Sequence, residues 1–293
     1  MNYQQKLNAY LERINQKLHF YLDAIEEKSI VSEAMEYSLM NAGKRVRPVM
    51  ALAFCEMLGG DIERVLPYAC ATEMIHTYSL IHDDLPCMDD DDLRRGKPSC
   101  HKQFGEAYAL LAGDALLNLA AEVVCGRFDA LDAATALSSG KVLFTGTGID
   151  GMIGGQTLDL LSENTQITLE TLKKLQALKT GKLLTVPCVL GVLAAGGSEA
   201  DKQTAEQFGA AIGLQFQIVD DILDVTGSEE ELGKPIGSDV ENEKSTYVSL
   251  LGLEQAEQTA AELHRQALAL LAPYGEKAWF LTEQVNALST RKK

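Results

Sequence analysis

The sequence predicts an all-α protein, and three observations lead there. Apolar residues recur at steps of three and four along six segments, alternating strand-like runs are scarce, and no Ser/Pro-rich linker or shift in composition divides the 293 residues. The last point favours one helical domain over residues 1–293. A hydrophobic content of 46% supplies a sizeable core.

Tyr3, Leu7, Tyr10, Leu11, Ile14, Leu18, Tyr21, Leu22 and Ile25 form the apolar stripe of an opening amphipathic helix, so these residues read as structure and not as a presequence. The same period returns over 66–84, 106–124, 169–178, 203–225 and 253–271, with Gly or Pro breaks between them. Gly43 reads as a helix terminus whose carbonyl end Lys44, Arg45 and Arg47 complement. Lys179 and Thr180, just before Gly181, also read first as a helix end. The longest apolar run, 183–195, is interrupted by Thr185, Pro187 and Gly191, so no membrane span is expected. A G-x-G-x-x-G match at 146–151 has no strand before it and no ribose-binding acid after it, and is set aside as a dinucleotide site.

A net charge of −16 argues against nucleic-acid binding, which needs a basic face to neutralise phosphates. Any anionic ligand must be met by a local basic cluster or by metal ions. The six cysteines lack CxxC spacing in a long chain and read as reduced thiols of a cytoplasmic protein. Cys100-His101 has no partners at metal spacing, which argues against zinc.

The chemistry concentrates in two acidic motifs. In "HDDLPCMDDDDLRR" (82–95) six Asp fall between positions 83 and 92, followed at once by Arg94 and Arg95. Unpartnered burial is too costly for such charges, so this is either a solvated acidic loop or a site whose counter-charges arrive from outside. Pro86 perturbs the helix after Asp83 and Asp84, and an unbroken helix would turn Asp89 about 240° away from Asp83, so a bulge or turn is needed to bring it back. Asp90, Asp91 and Asp92 read as solvated. In "DDILD" (220–224) one helix face presents Asp220, Asp221 and Asp224, either as an acidic surface or as hard oxygen ligands for Mg²⁺ or Ca²⁺. Arg94 and Arg95 are either salt-bridge partners of the neighbouring Asp residues or direct contacts to an anion. His76 reads as a core histidine, and Lys234 and Lys244 as surface lysines.

Six ordered stretches together resemble one family: "GKRVRP" (43–48), "IHTYSLIHDDLPCMDDDDLRRGKP" (75–98), "GGQTLDL" (154–160), "KTGKL" (179–183), "FQIVDDILDVTG" (216–227) and "GKPIGSDVENEKSTY" (233–247). They resemble the trans-isoprenyl diphosphate synthases, most closely bacterial farnesyl diphosphate synthases. The resemblance covers nearly the whole chain. It implies an all-α isoprenoid synthase bundle of ten or more helices around a central cavity, forming a homodimer. It implies Mg²⁺, three ions per active site, held by Asp83, Asp84, Asp89, Asp220, Asp221 and Asp224. Arg94, Lys179, Thr180, Gln217, Lys234 and Lys244 would contact the allylic diphosphate, dimethylallyl or geranyl. Lys44, Arg47, His76 and Arg95 would hold isopentenyl diphosphate. Gln156 and Asp159 match a motif lining the same cavity.

The implied reaction ionises an allylic C–O bond, adds the isopentenyl double bond to the cation and passes a proton to the departing diphosphate, so no protein nucleophile is needed. This agrees with the lack of a Ser/His/Asp or Cys/His arrangement. Tyr78, five residues before Asp83, is implied as the floor that stops the chain at fifteen carbons; helix geometry alone places Ser79 more nearly beneath Asp83. Rival readings are a longer-chain synthase, such as one for geranylgeranyl diphosphate, and a non-catalytic metal-binding helical subunit. Cys87 departs from the small residues usual in the first acidic motif, and the basic ending at Arg291 and Lys292 reads as a frayed terminus.

Overall fold

The computed structural model describes every residue except 42, 130–131, 164, 228–244 and 290–293. In chain order the helices are α1 (Tyr3–Asp23), α2 (Ile30–Leu39), α3 (Val46–Met57), α4 (Ile62–Asp83), α5 (Cys100–Phe104), α6 (Glu106–Val124), α7 (Ala133–Thr147), α8 (Met152–Ser162), α9 (Leu169–Gln176), α10 (Lys182–Ala195), α11 (Glu199–Thr226), α12 (Tyr247–Leu251), α13 (Leu253–Leu271) and α14 (Trp279–Ser289). The strands among the described residues are β1 (Leu93–Arg94) and β2 (Lys97–Pro98), paired antiparallel. The all-α expectation holds.

The opening stripe is buried as read: Tyr10, Ile14, Leu18, Tyr21 and Leu22 face the core, although α1 stops at Asp23, before Ile25. It starts at a capping box in which Asn2 and Gln5 exchange side-chain and backbone bonds. Helix α4 begins at Ile62, four residues earlier than predicted, because the Asp61 carboxylate accepts from the Glu63 N–H at 3.0 Å, and Pro67 lies inside the helix. Helices α3, α6 and α10 pack around α4, and α10 also packs on α11.

Two readings of the chain are corrected. Gly181 does not end a helix: α9 passes through a π-helical turn, Ala177–Gly181, directly into α10. Helix α8 lies against this turn, and a Cβ on Gly155 would fall 2.2 Å from the Lys179 backbone nitrogen. Nor do Thr185, Pro187 and Gly191 break the apolar run, because neighbours cover α10 along its length and tertiary packing overrides local propensity. Consequently Leu169–Ala195 and Glu106–Val124 are both long and apolar enough to cross a membrane. With 61% and 44% of their windows buried against other helices, both read as core helices of the bundle.

Gly43 lies beyond the end of α2, and the basic stretch after it divides. Arg45, in the left-handed region at φ 49°, turns inward, donates to the Leu39 carbonyl at 2.6 Å and pairs with Glu73 at 2.8 Å. Arg45 is thus the residue that serves the carbonyl end of α2. Both members of the pair are 3% exposed. Glu73→Ala, which leaves the Arg45 guanidinium buried without its carboxylate, is expected to cost about 3–5 kcal/mol in a denaturant titration.

Candidate active site

The C-terminal end of α4, the π turn and α11 surround a cavity of about 750 Å³. Its polar wall includes Arg47, Asp83, Arg94, Lys179, Gln217 and Asp220, and its apolar wall includes Tyr78, Leu117, Met152, Leu183 and Phe216. A smaller adjoining cavity of about 290 Å³ shares Lys179, Thr180, Gln217 and Asp220 and adds Asp159 and Asp221.

The first acidic motif folds as the Pro86 argument requires. Helix α4 ends at Asp83, and the Asp89 N–H donates to the Asp83 carbonyl at 2.8 Å, which closes a turn and returns Asp89 beside Asp83. Burial pushes the Asp83 carboxyl up to about 6, with Lys179 opposing the shift and Asp89 adding to it. Asp84 points elsewhere. It is 2% exposed and lies in the fork of Arg94, whose Nε donates to Oδ1 at 2.9 Å and Oδ2 at 3.2 Å. Arg94 also reaches Asp91 at 3.0 Å, Asp92 pairs with Lys102 at 2.7 Å, and both Asp side chains remain exposed.

On α11, Asp220 lines both cavities, whereas Asp221 is buried and accepts from the Tyr247 N–H at 2.6 Å. Asp224 is 2% exposed and outside the lining of either cavity. Asp220 and Asp221 thus both line the smaller cavity, and Asp224 lies outside the lining of either. Lys179 is paired with Asp159 through an ion pair across the π turn, and Thr180 and Gln217 stand beside it.

The cations gather on the other flank. Arg47 and His76 line the main cavity. Arg95 and Arg94 share a small crevice with Asn41, and Arg95 donates to the Asn41 carbonyl at 3.0 Å. The β1–β2 turn that presents Arg95 holds both Arg95 and Gly96 at positive φ, 55° and 76°, as a tight two-residue hairpin demands. Arg45, Asp90 and Arg95 are the non-glycine residues at positive φ among those described, and of them Arg95 lines the crevice beside Arg94. Burial lowers the Arg47 guanidinium to about 10, Glu73 opposing and Arg95 reinforcing. Burial also drives His76 well below its ordinary value, and Arg47 and Arg95 add to this, so its imidazole is neutral. Lys44 is exposed. Lys234, Lys244, Arg291 and Lys292 lie outside the described residues.

Orphaned buried polar atoms point to a polar ligand in the cavity, and the Arg47 guanidinium to an anionic one. The Nε of Arg47 is buried and, among the described residues, has no hydrogen-bond partner; the same is true of both amide atoms of Gln156. Among the described residues no three acidic, His or Cys side chains converge closely enough to hold an ion alone. That arrangement still suits Mg²⁺, which is usually held by one or two carboxylates together with substrate phosphates and not in an all-protein cage. An oxygen-only donor set, with Asp83 and Asp89 adjacent and Asp220 on the same cavity, fits such an ion. Sequence reading missed Leu117 and Met152, because an apolar helix position that lines a cavity has the same periodicity as one that fills the core.

Residues 28–273 match the polyprenyl synthetase family. The chain belongs to that family. Its relatives include a farnesyl diphosphate synthase of Bacillus subtilis, 46% identical over 86% of this chain and 86% of its own length. A chloroplastic geranylgeranyl pyrophosphate synthase of Capsicum annuum is 48% identical over 83% of this chain, and the match spans 66% of that protein, just under two thirds of its length. The fold superimposes on the crystal structure of an FPP/GFPP synthase of Zymomonas mobilis with a TM-score of 0.88, at 35% identity over 99% of both chains. The polyprenyl synthetases are prenyltransferases of isoprene biosynthesis, and the family's all-α isoprenoid synthase fold is the one seen here.

Proposed function

We propose that the protein condenses isopentenyl diphosphate head-to-tail (1'-4) with dimethylallyl and then geranyl diphosphate, giving (2E,6E)-farnesyl diphosphate. The observation that carries this reading is a single cavity lined by carboxylates from two helices, Asp83 and Asp220, by the cations Arg47, Arg94 and Lys179, and by the aromatic rings of Tyr78 and Phe216. Asp83, Asp89 and Asp220 are the residues proposed to hold Mg²⁺. When bound, the ion supplies positive charge to offset that developing on the leaving diphosphate. Asp84, through Arg94, and Asp221, through the Tyr247 N–H, fix the shape of the two motifs from behind. The resemblance gives all six carboxylates as ligands; Asp84 is held by Arg94, Asp221 lines the smaller cavity while accepting from the Tyr247 N–H, and Asp224 lies outside the lining of both cavities.

Lys179, Thr180 and Gln217, with Arg94 at the rim, receive the allylic diphosphate, and Lys234 and Lys244 belong to the same proposal by sequence. Arg47 and Arg95, with neutral His76 and exposed Lys44, receive isopentenyl diphosphate. The apolar wall excludes water from the cation. The exposed apolar side chains of α6, Tyr108, Leu110 and Leu111, support a homodimer. The unpaired cysteines support a cytoplasmic location.

The test incubates purified protein with labelled isopentenyl diphosphate, dimethylallyl diphosphate and Mg²⁺ and sizes the products. A fifteen-carbon product is expected, a twenty-carbon one would make this a geranylgeranyl synthase, and no product would remove the enzymatic reading. Arg47→Ala is expected to raise the KM for isopentenyl diphosphate about tenfold or more, because it removes a charge-assisted contact to that anion. Steady-state kinetics with each substrate varied in turn checks this, and a defect confined to the allylic substrate would reverse the two assignments.

A further inference from the structure

We propose that His82 and Gly113 set the position of the Tyr78 ring and so help to fix product length; this rests on Tyr78 acting as the floor of the cavity. Tyr78 and His82 are one turn apart on α4, their rings meet edge to face with centroids 5.6 Å apart, and both line the cavity. His82 is held from the far side by α6. Its Nε2 donates to the Leu110 carbonyl at 3.1 Å, and Asp114 Oδ1 lies 4.0 Å from the same nitrogen. The imidazole fills the space over Gly113, where a Cβ would fall 2.1 Å from Nε2. Gly113 has no positive φ to require glycine, so what glycine supplies is room for this ring. His82 is therefore wedged between α6 and the phenol ring, and it governs how far Tyr78 retreats before a growing chain. It is a positioning residue and takes no part in the chemistry.

The experiment compares the full-length wild type with Gly113→Ala, His82→Ala and the double variant, using isopentenyl and dimethylallyl diphosphates with Mg²⁺ and sizing products at equal conversion. In Gly113→Ala the new methyl drives the imidazole toward Tyr78, and the ratio of wild-type-length product to product one unit shorter falls about tenfold. In His82→Ala the support is gone, and product at least one unit longer rises about tenfold over wild type. The double variant has no ring for the methyl to strike, so it follows His82→Ala. A merely structural tie between α4 and α6 would lower rates and leave product length unchanged in all three, which overturns the proposal. Where Gly113→Ala does not fold, His82→Ala and the double variant still decide: unshifted lengths in both overturn it. Failure of the underlying reading looks different, since the wild type then makes no prenyl product or Tyr78→Ala alone leaves the length unchanged.

Discussion

Asp83→Asn and Asp220→Asn are each expected to slow turnover on the order of a thousandfold at saturating Mg²⁺, equivalent to about 4 kcal/mol of lost transition-state stabilisation. Both carboxylates open on the same cavity, and they come from different helices, so neither replaces the other. Asparagine keeps the shape and removes the charge, and with it the affinity for a hard divalent ion. The control is Asp84→Asn. Asp84 lies in the Arg94 fork away from the cavity, so its loss should show first as lower stability, by thermal unfolding, and only secondarily in rate. Single-turnover assays across a Mg²⁺ titration separate these effects, and near-normal turnover of both Asp83 and Asp220 variants would sink the assignment.

Tyr78→Ala is expected to convert a fifteen-carbon product into products of twenty carbons or more. Tyr78 is 6% exposed on the cavity wall, and five residues of helix separate it from Asp83 by about 7.5 Å, so a chain anchored at the acidic motif extends toward this ring. Removing the ring opens volume beyond the chain end, at a stability cost of about 3–5 kcal/mol for a buried aromatic. Unfolding is therefore measured first and product chromatography second. Relatives named for farnesyl and for geranylgeranyl products match this chain almost equally well, so this variant and the wild type together decide product length. Ser79 also lines the cavity, with its hydroxyl donated to the His76 carbonyl, and it is the next position to enlarge if a folded, active Tyr78→Ala still stops at fifteen carbons.

Periodicity alone determined that the chain is helical. It placed α6 at its observed bounds and put the correct face of α1 inward, because a 3.6-residue repeat of apolar side chains leaves a helix few alternatives. Backbone rules also required the turn that returns Asp89 to Asp83, since Pro86 breaks the ladder. Six ordered motifs resemble the family to which the chain belongs.

Tertiary structure decided what local rules read wrongly or left open. Gly181 and Pro187 are stop signals by propensity, yet packing against α8, α3 and α11 carries the rod through both, bending it into the π turn that presents Lys179 and Thr180. Arg45 and Arg47 are indistinguishable as letters two apart. Only the fold sends one to Glu73 in the core, where the carboxylate meets its guanidinium, and the other to the cavity, where its buried Nε has no partner among the described residues. The same holds for the acidic pairs: sequence supplies the charges, and which carboxylates are held by a neighbour, Asp84 by Arg94 and Asp221 by the Tyr247 N–H, is decided by chain folding.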